Sequence, residues 1–233
     1  MTKIGIIQPG KLGDIIICLP IAKHYANMGY SVIWPVFDVY YKMVKEVIDY
    51  VEFIPVTSNV YECVNQSIVE LKNRDVHKTY DIAATFPGSS CTDEYVALGD
   101  GLGDVKFDLF KYNKCNVPFE LKWKLEYNRN EIKENEIVQA LVKQNNYDVV
   151  SIKHSRGTLP VKFESKNQII NINEDYNIFH WRKLLQNAAC IALVDSAMAN
   201  FVEQLNLTNK KILLRKPGHP TPTFKNNWSI KTI

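Results

Sequence analysis

The chain has 233 residues, 46% hydrophobic and 23% charged, enough to bury a core as one large domain or two small ones and too ordinary a mix for a disordered or fibrous architecture. Its net charge of +3 hides an asymmetry: residues 1–110 hold 9 Lys+Arg against 14 Asp+Glu, a net of −5, and residues 111–233 hold 19 against 11, a net of +8. The basic second half either attracts a diphosphate, a nucleic-acid backbone or an anionic surface, or is a solvated lysine-rich face.

Short runs rich in Ile, Val and aromatic residues predict strands at 3–8, 31–36, 51–56 and 81–86, and helical spacing predicts helices over 14–28, 40–47 and 61–75. Three such alternations imply a parallel sheet with right-handed crossovers, whose ligands sit beyond the carboxyl ends of the strands. Residues 87–128, with Gly88, Gly99, Gly101, Gly103, Pro118 and many aromatics but no clean period, read as a crossover region. A helix is predicted over 131–144, and a second alternation follows: strands at 148–153 and 168–172, helix 178–188, strand 190–194, helix 197–205 and strand 211–215. The tail 228–233 is either a final strand or a segment crossing back to the first half. The expected domains are 1–125 and 126–233.

The junction Gln8-Pro9-Gly10-Lys11-Leu12-Gly13-Asp14 follows the first strand and enters the first helix. Gly10 and Gly13 permit a tight turn and close approach of a ligand, and Asp14 is expected to cap the helix. It lacks both the Walker A and the three-glycine dinucleotide spacing, so it reads either as a ligand loop or as an ordinary capped turn. Pro20 falls in the same helix, implying either a kink or a helix that begins at Pro20. A second junction, Val194-Asp195-Ser196-Ala197, opens the helix that carries Asn200; its amides and dipole form either an anion site or a plain capped start. After the second half's first strand, Lys153-His154-Ser155-Arg156-Gly157 supplies donors for a diphosphate, Arg156 by a two-pronged contact and Lys153 as a point charge, or else is a solvated loop. Trp181 and Arg182 read as packing and surface residues. The proline-rich run 216–223 either closes over a nucleotide or is a surface loop.

His24, His77, His154, His180 and His219 share no short spacing and no Asp-x-Asp pair is present, so neither a metal nor another cofactor is expected. Cys18, Cys63, Cys91, Cys115 and Cys190 read as buried thiols of a reducing compartment. The chain begins without a signal-peptide pattern, and the apolar run 15–20 is far short of the roughly 18 residues of a membrane span. No transmembrane segment is therefore expected, and the location expected is cytoplasmic, with at most loose attachment to a membrane surface.

The stretch 4–20, with Pro9-Gly10-x-x-Gly13-Asp14 followed six residues later by Pro20, resembles the opening motif of the lipopolysaccharide heptosyltransferases. Val194-Asp195-Ser196, with Asn200 beyond, resembles their second motif, in which Asp-Ser/Thr-Gly precedes a helix bearing His. The resemblance implies an α/β, GT-B-like fold of two facing Rossmann-type α/β/α halves, here reduced in size, with acceptor bound mainly by the first half and nucleotide-sugar donor mainly by the second. By the same resemblance Asp14 is the general base, Gly10 and Gly13 are the loop glycines around it, with Lys11 between them in the loop, and Asp195, Ser196 and Ala197 face the donor phosphates. Ala197 stands where the family has glycine and Asn200 where it has histidine.

The function expected is metal-independent transfer of a sugar from a nucleotide sugar to a saccharide or a modified nucleic-acid base, by a monomer or weak dimer. The alternatives are a sugar-nucleotide or polyanion-binding module without turnover, and another small-molecule enzyme on the same α/β plan.

Overall fold

The computed structural model describes residues 1–103, 105–154, 157–158, 162–215, 218 and 220–232, excepting the side chains of 154 and 158. The chain forms two compact units, Met1–Asn128 with Pro220–Thr223, and Arg129–His219 with Phe224–Ile233. Each is an α/β/α Rossmann-like half built on its own parallel sheet.

In the first unit the strands β1 (Lys3–Ile7), β2 (Ser31–Phe37), β3 (Val51–Val56) and β4 (Lys78–Asp81) lie in the order β3-β2-β1-β4, every pair parallel. The inner strand β2 is buried from Val32 to Phe37, as a parallel strand covered on both faces must be. Helix α3 (Cys63–Lys72) contributes Cys63, Val64 and Leu71 to a core with Ile7, Ile33, Ile54 and Val56. Helix α2 (Asp38–Val47) buries only Val44 and Val47.

Helix α1 spans Leu12–Asn27 and is buried continuously from Ile15 to Ala22, the mark of a helix enclosed on all sides. Pro20 therefore lies inside the helix rather than at its start. Pro20 has no N–H to give to the Ile16 carbonyl one turn back; beside it, the Tyr112 hydroxyl donates to Ile17 O at 2.9 Å and ties that later part of the chain to the helix. The N-cap is Lys11, and no side chain caps the helix. The expectation that Asp14 caps it is thus corrected: Asp14 is the third residue of the helix, already past the cap.

Two further expectations give way. The strand foreseen at 81–86 is β4, ending at Asp81, whose carboxylate accepts from Ala83 N at 3.1 Å, Ser90 N at 2.6 Å and the Ser89 and Ser90 hydroxyls at 2.9 Å each. These bonds turn the chain out of the sheet, and the apolar run that follows is buried as loop. Residues 87–128 hold α4 (Thr92–Ala97), α5 (Phe107–Lys114) and a 3₁₀ turn, Phe119–Trp123; α5 and the turn pack on α1. There, fully buried Asp108 and Lys122 pair at 2.5 Å. Asp108 also accepts from Thr223 N at 2.7 Å, and Lys122 donates to Thr223 O at 2.5 Å. This fixes Pro220–Thr223 in the first unit, with Thr221 only 4% exposed, so this end of the proline-rich run is packed structure; residues 216, 217 and 219 lie outside the described residues.

In the second unit, helix α6 (Glu131–Leu141) leads to β5 (Tyr147–Ser151), a short antiparallel hairpin of β6 (Lys153–His154) and β7 (Gly157–Thr158), and β8 (Gln168–Asn171). The predicted helix 178–188 is a 3₁₀ turn, Ile178–Trp181, followed by α7 (Arg182–Asn187). Trp181 is fully buried. Then come β9 (Cys190–Val194), α8 (Ala197–Gln204), β10 (Lys210–Arg215) and β11 (Trp228–Thr232), in the parallel order β11-β10-β9-β5-β8. Of the two readings of the tail, the structure shows the strand. Buried Glu203 of α8 accepts from Lys225 N at 2.8 Å and Trp228 Nε1 at 2.7 Å, which anchors β11 to the unit.

Candidate functional site

The carboxyl end of β1 is the most elaborated point of the first sheet. Gln8, buried, accepts from Trp34 Nε1 at its carbonyl, 3.0 Å away, and Pro9 O accepts from Phe37 N at 2.7 Å. The Phe37 ring lies where a Gly10 side chain would be, with a Cβ there meeting ring atoms at 2.3–2.8 Å. Glycine at position 10 is thus required by a neighbouring ring. Lys11 is exposed, and Gly13 lies in the first turn of α1.

Asp14, half-buried at 23%, pairs through Oδ1 with Lys111 Nζ at 3.3 Å. Lys111, on α5, also donates to Ile82 O at 2.9 Å and to Gln8 Oε1. Burial pulls the Lys111 ammonium down, but Asp14, with Cys18 and Cys91 behind it, outweighs burial and leaves the group above the ordinary lysine value. Sequence reasoning missed Lys111 and gave Gln8, at the head of the junction, no role. The available signal was one lysine set between Phe110 and Tyr112, both buried, where a lysine must have partners.

In the second unit, β9 delivers Asp195 and Ser196 to the carboxyl edge of its sheet. Ser196 is the N-cap of α8, its Oγ accepting from Ala199 N at 3.4 Å, and its carbonyl accepts from Asn200 Nδ2 at 3.1 Å. Asn200 is buried, and its Oδ1 has no hydrogen-bond partner among the described residues. Asp195 N donates to Leu214 O at 3.4 Å, so Arg215, which follows Leu214, ends β10 beside this turn. Sequence reasoning passed over Arg215 as a strand residue.

The neighbouring strand β5 leads into the hairpin with Lys153 and His154. Lys153 makes an exposed ion pair with Glu174 at 2.7 Å. Arg156, expected to contact a diphosphate, lies outside the described residues, as do Ser155 and the side chain of His154. Thus β9, β10 and β5 bring Asp195, Ser196, Ala197, Arg215 and Lys153 to one edge of one sheet, while Asp14 and Lys111 belong to the other unit. Among the described residues no group of three or more His, Cys, Asp or Glu is placed to hold a metal ion, and no helix is long and apolar enough to cross a membrane.

Paired Rossmann-like halves, each with a polar junction at the carboxyl edge of a parallel sheet, define a GT-B-like architecture. No family model and no curated protein matches the sequence, but solved structures share the fold. The chain is similar to the glycosyl transferase family 9 protein of Veillonella parvula, with a TM-score of 0.62 at 10% identity over 100% of this chain and 86% of that one. It is similar to the ADP-heptose lps heptosyltransferase II of E. coli, with a TM-score of 0.54 at 11% identity over 100% and 90% of the two chains. The heptosyltransferase WaaC of E. coli with ADP gives 0.50 at 14% identity, over 99% and 93%. At such identities the likeness is one of fold.

Proposed function

We propose that the chain is a heptosyltransferase-like glycosyltransferase that moves a sugar from a nucleotide-sugar donor to an acceptor hydroxyl. The observation that carries the reading is Asp14, a half-buried carboxylate fixed at the carboxyl end of β1 in a fold shared with solved sugar transferases. Asp14 takes the proton of the acceptor hydroxyl as its oxygen bonds to the anomeric carbon. The bond from that carbon to the diphosphate breaks, and its electron pair leaves with the nucleoside diphosphate.

Charge growing on the leaving diphosphate needs fixed donors. In this reading they are the Ala197 and Met198 amides at the start of α8, the Arg215 guanidinium, and Lys153, His154 and Arg156, with Asp195 and Ser196 shaping the turn. These groups take the role a metal ion would otherwise play. The acceptor is a saccharide or a modified nucleic-acid base, and the protein acts as a monomer or weak dimer. A second reading, a donor-binding module without turnover, is favoured by one observation: Asn200 stands where the resembled family has histidine, and its buried Oδ1 has no partner among the described residues.

A thermal-shift screen over UDP-, GDP-, ADP-, CMP- and dTDP-sugars tests donor binding, because a ligand held only by the folded protein raises its stability, by about 2.7 kcal/mol at a hundredfold excess over Kd. A shift with one nucleotide class is the expected result. No shift with any of them at millimolar concentration removes the donor site. Arg156→Ala is expected to weaken the binding by about 1.5–3 kcal/mol, and unchanged affinity would take Arg156 out of the site.

A further inference from the structure

The Lys111 side chain is 7% exposed, and its ammonium meets three oxygens: Ile82 O at 2.9 Å, Asp14 Oδ1 at 3.3 Å and Gln8 Oε1. An ammonium has three N–H donors, so each has one acceptor. Ile82 follows β4, and Gln8 follows β1 and donates through Nε2 to Gly10 O in the loop ahead of α1. Both belong to the rigid carboxyl edge of the sheet, whereas Asp14 alone of the three reaches toward solvent. One turn further along α1, Cys18 is fully buried, and burial pushes its thiol up to about 12. The thiol is neutral at pH 7, and the ion pair Lys111 makes on α1 is with Asp14.

Resting on the reading of Asp14 as the base, we propose that Lys111 is a positioning residue for sugar transfer. It binds Oδ1 and so leaves Oδ2 as the oxygen presented to the acceptor hydroxyl. A strut joining α5 to the sheet needs only Ile82 O and Gln8; the third donor, given to a partly exposed carboxylate, ties that strut to the chemistry. Lys111 keeps its proton throughout, and Oδ2 alone gains one as the sugar moves. Because reacting atoms must lie within a narrow range of separation and angle, loss of this tether acts on turnover rather than on donor binding.

The test is a double-mutant cycle of Lys111→Met and Asp14→Asn, with steady-state turnover, donor KM and thermal melting measured on each full-length variant. Lys111→Met is expected to lower kcat roughly 10²-fold with donor KM within about twofold, and Lys111→Arg to recover part of the loss. The double variant is expected to lose no more than Asp14→Asn alone, because residues that act as a unit are not additive. Full turnover in folded Lys111→Met beside an impaired Asp14→Asn overturns the positioning role and leaves the transferase reading standing, and additive losses do the same. If Lys111→Met does not fold, Lys111→Gln takes its place in the cycle; if that also fails to fold, Lys111 is a strut and the proposal is wrong. A wild-type protein with no turnover on any donor removes both readings.

Discussion

A ring packed where a side chain would stand sets the loop ahead of Asp14. With Phe37 atoms 2.3–2.8 Å from the place of a Gly10 Cβ, Gly10→Ala forces the loop or the ring to move, and overpacking of this kind costs about 1–3 kcal/mol. The urea midpoint is expected to fall accordingly; an unchanged midpoint would mean that the loop shifts freely. Asp14→Asn is expected to lower turnover by about 10²- to 10⁴-fold with the donor-induced thermal shift preserved. Because Asp14 does not cap α1, Asp14→Ala carries no cap penalty, although it leaves the Lys111 ammonium short of its anionic partner. At this scale Gly10 and Asp14 were legible, since a glycine and an acid between a strand and a helix stand out locally. Lys111 was not, because its partner Gln8 lies 103 residues away, and no local pattern encodes such a pair.

At the scale of elements, the Asp108–Lys122 pair with Thr223 decides how the end of the first unit is held. Both side chains are fully buried, so Lys122→Met strands a carboxylate in the core, at a cost of about 3–5 kcal/mol. Urea unfolding followed by tryptophan fluorescence would measure it, and a loss below about 1 kcal/mol, the range of surface pairs, would show that water reaches Asp108. Strands β1, β2 and β3 were legible because their apolar runs are short and bounded. The run after Asp81 misled for a physical reason: Ile82, Ala83 and Ala84 are buried, but by packing beyond the sheet and not in it. Helices α4 and α5 escaped notice because, at 6 and 8 residues, they span about two turns or fewer, too little for a 3.6-residue period to show. Thr223 reaches Asp108 across 115 residues, beyond any windowed reading.

Across the whole molecule, all five cysteines are free and buried, and burial raises every one of their pKa values, Cys18 to about 12. The sign follows directly: the unfolded thiol loses its proton near pH 8.5–9, the folded thiol keeps it, so stability falls as pH rises above that point. Each such group costs about 1.4 kcal/mol per pH unit until its folded pKa is reached. The melting temperature is expected to drop steeply between about pH 9 and 11 under reducing conditions, and replacing Cys18 by Ala to flatten the slope; a flat profile would mean that water reaches the thiols. Every role proposed for the first unit depends on Asp14 acting as the base in sugar transfer. The most direct measurement is release of nucleoside diphosphate from the donor with the largest thermal shift, in matched wild-type and Asp14→Asn proteins, first without acceptor and then with saccharides. Slow release by the wild type, faster with acceptor and about 10²- to 10⁴-fold slower in Asp14→Asn at equal donor binding, is the result predicted; equal release by the two folded proteins would contradict it.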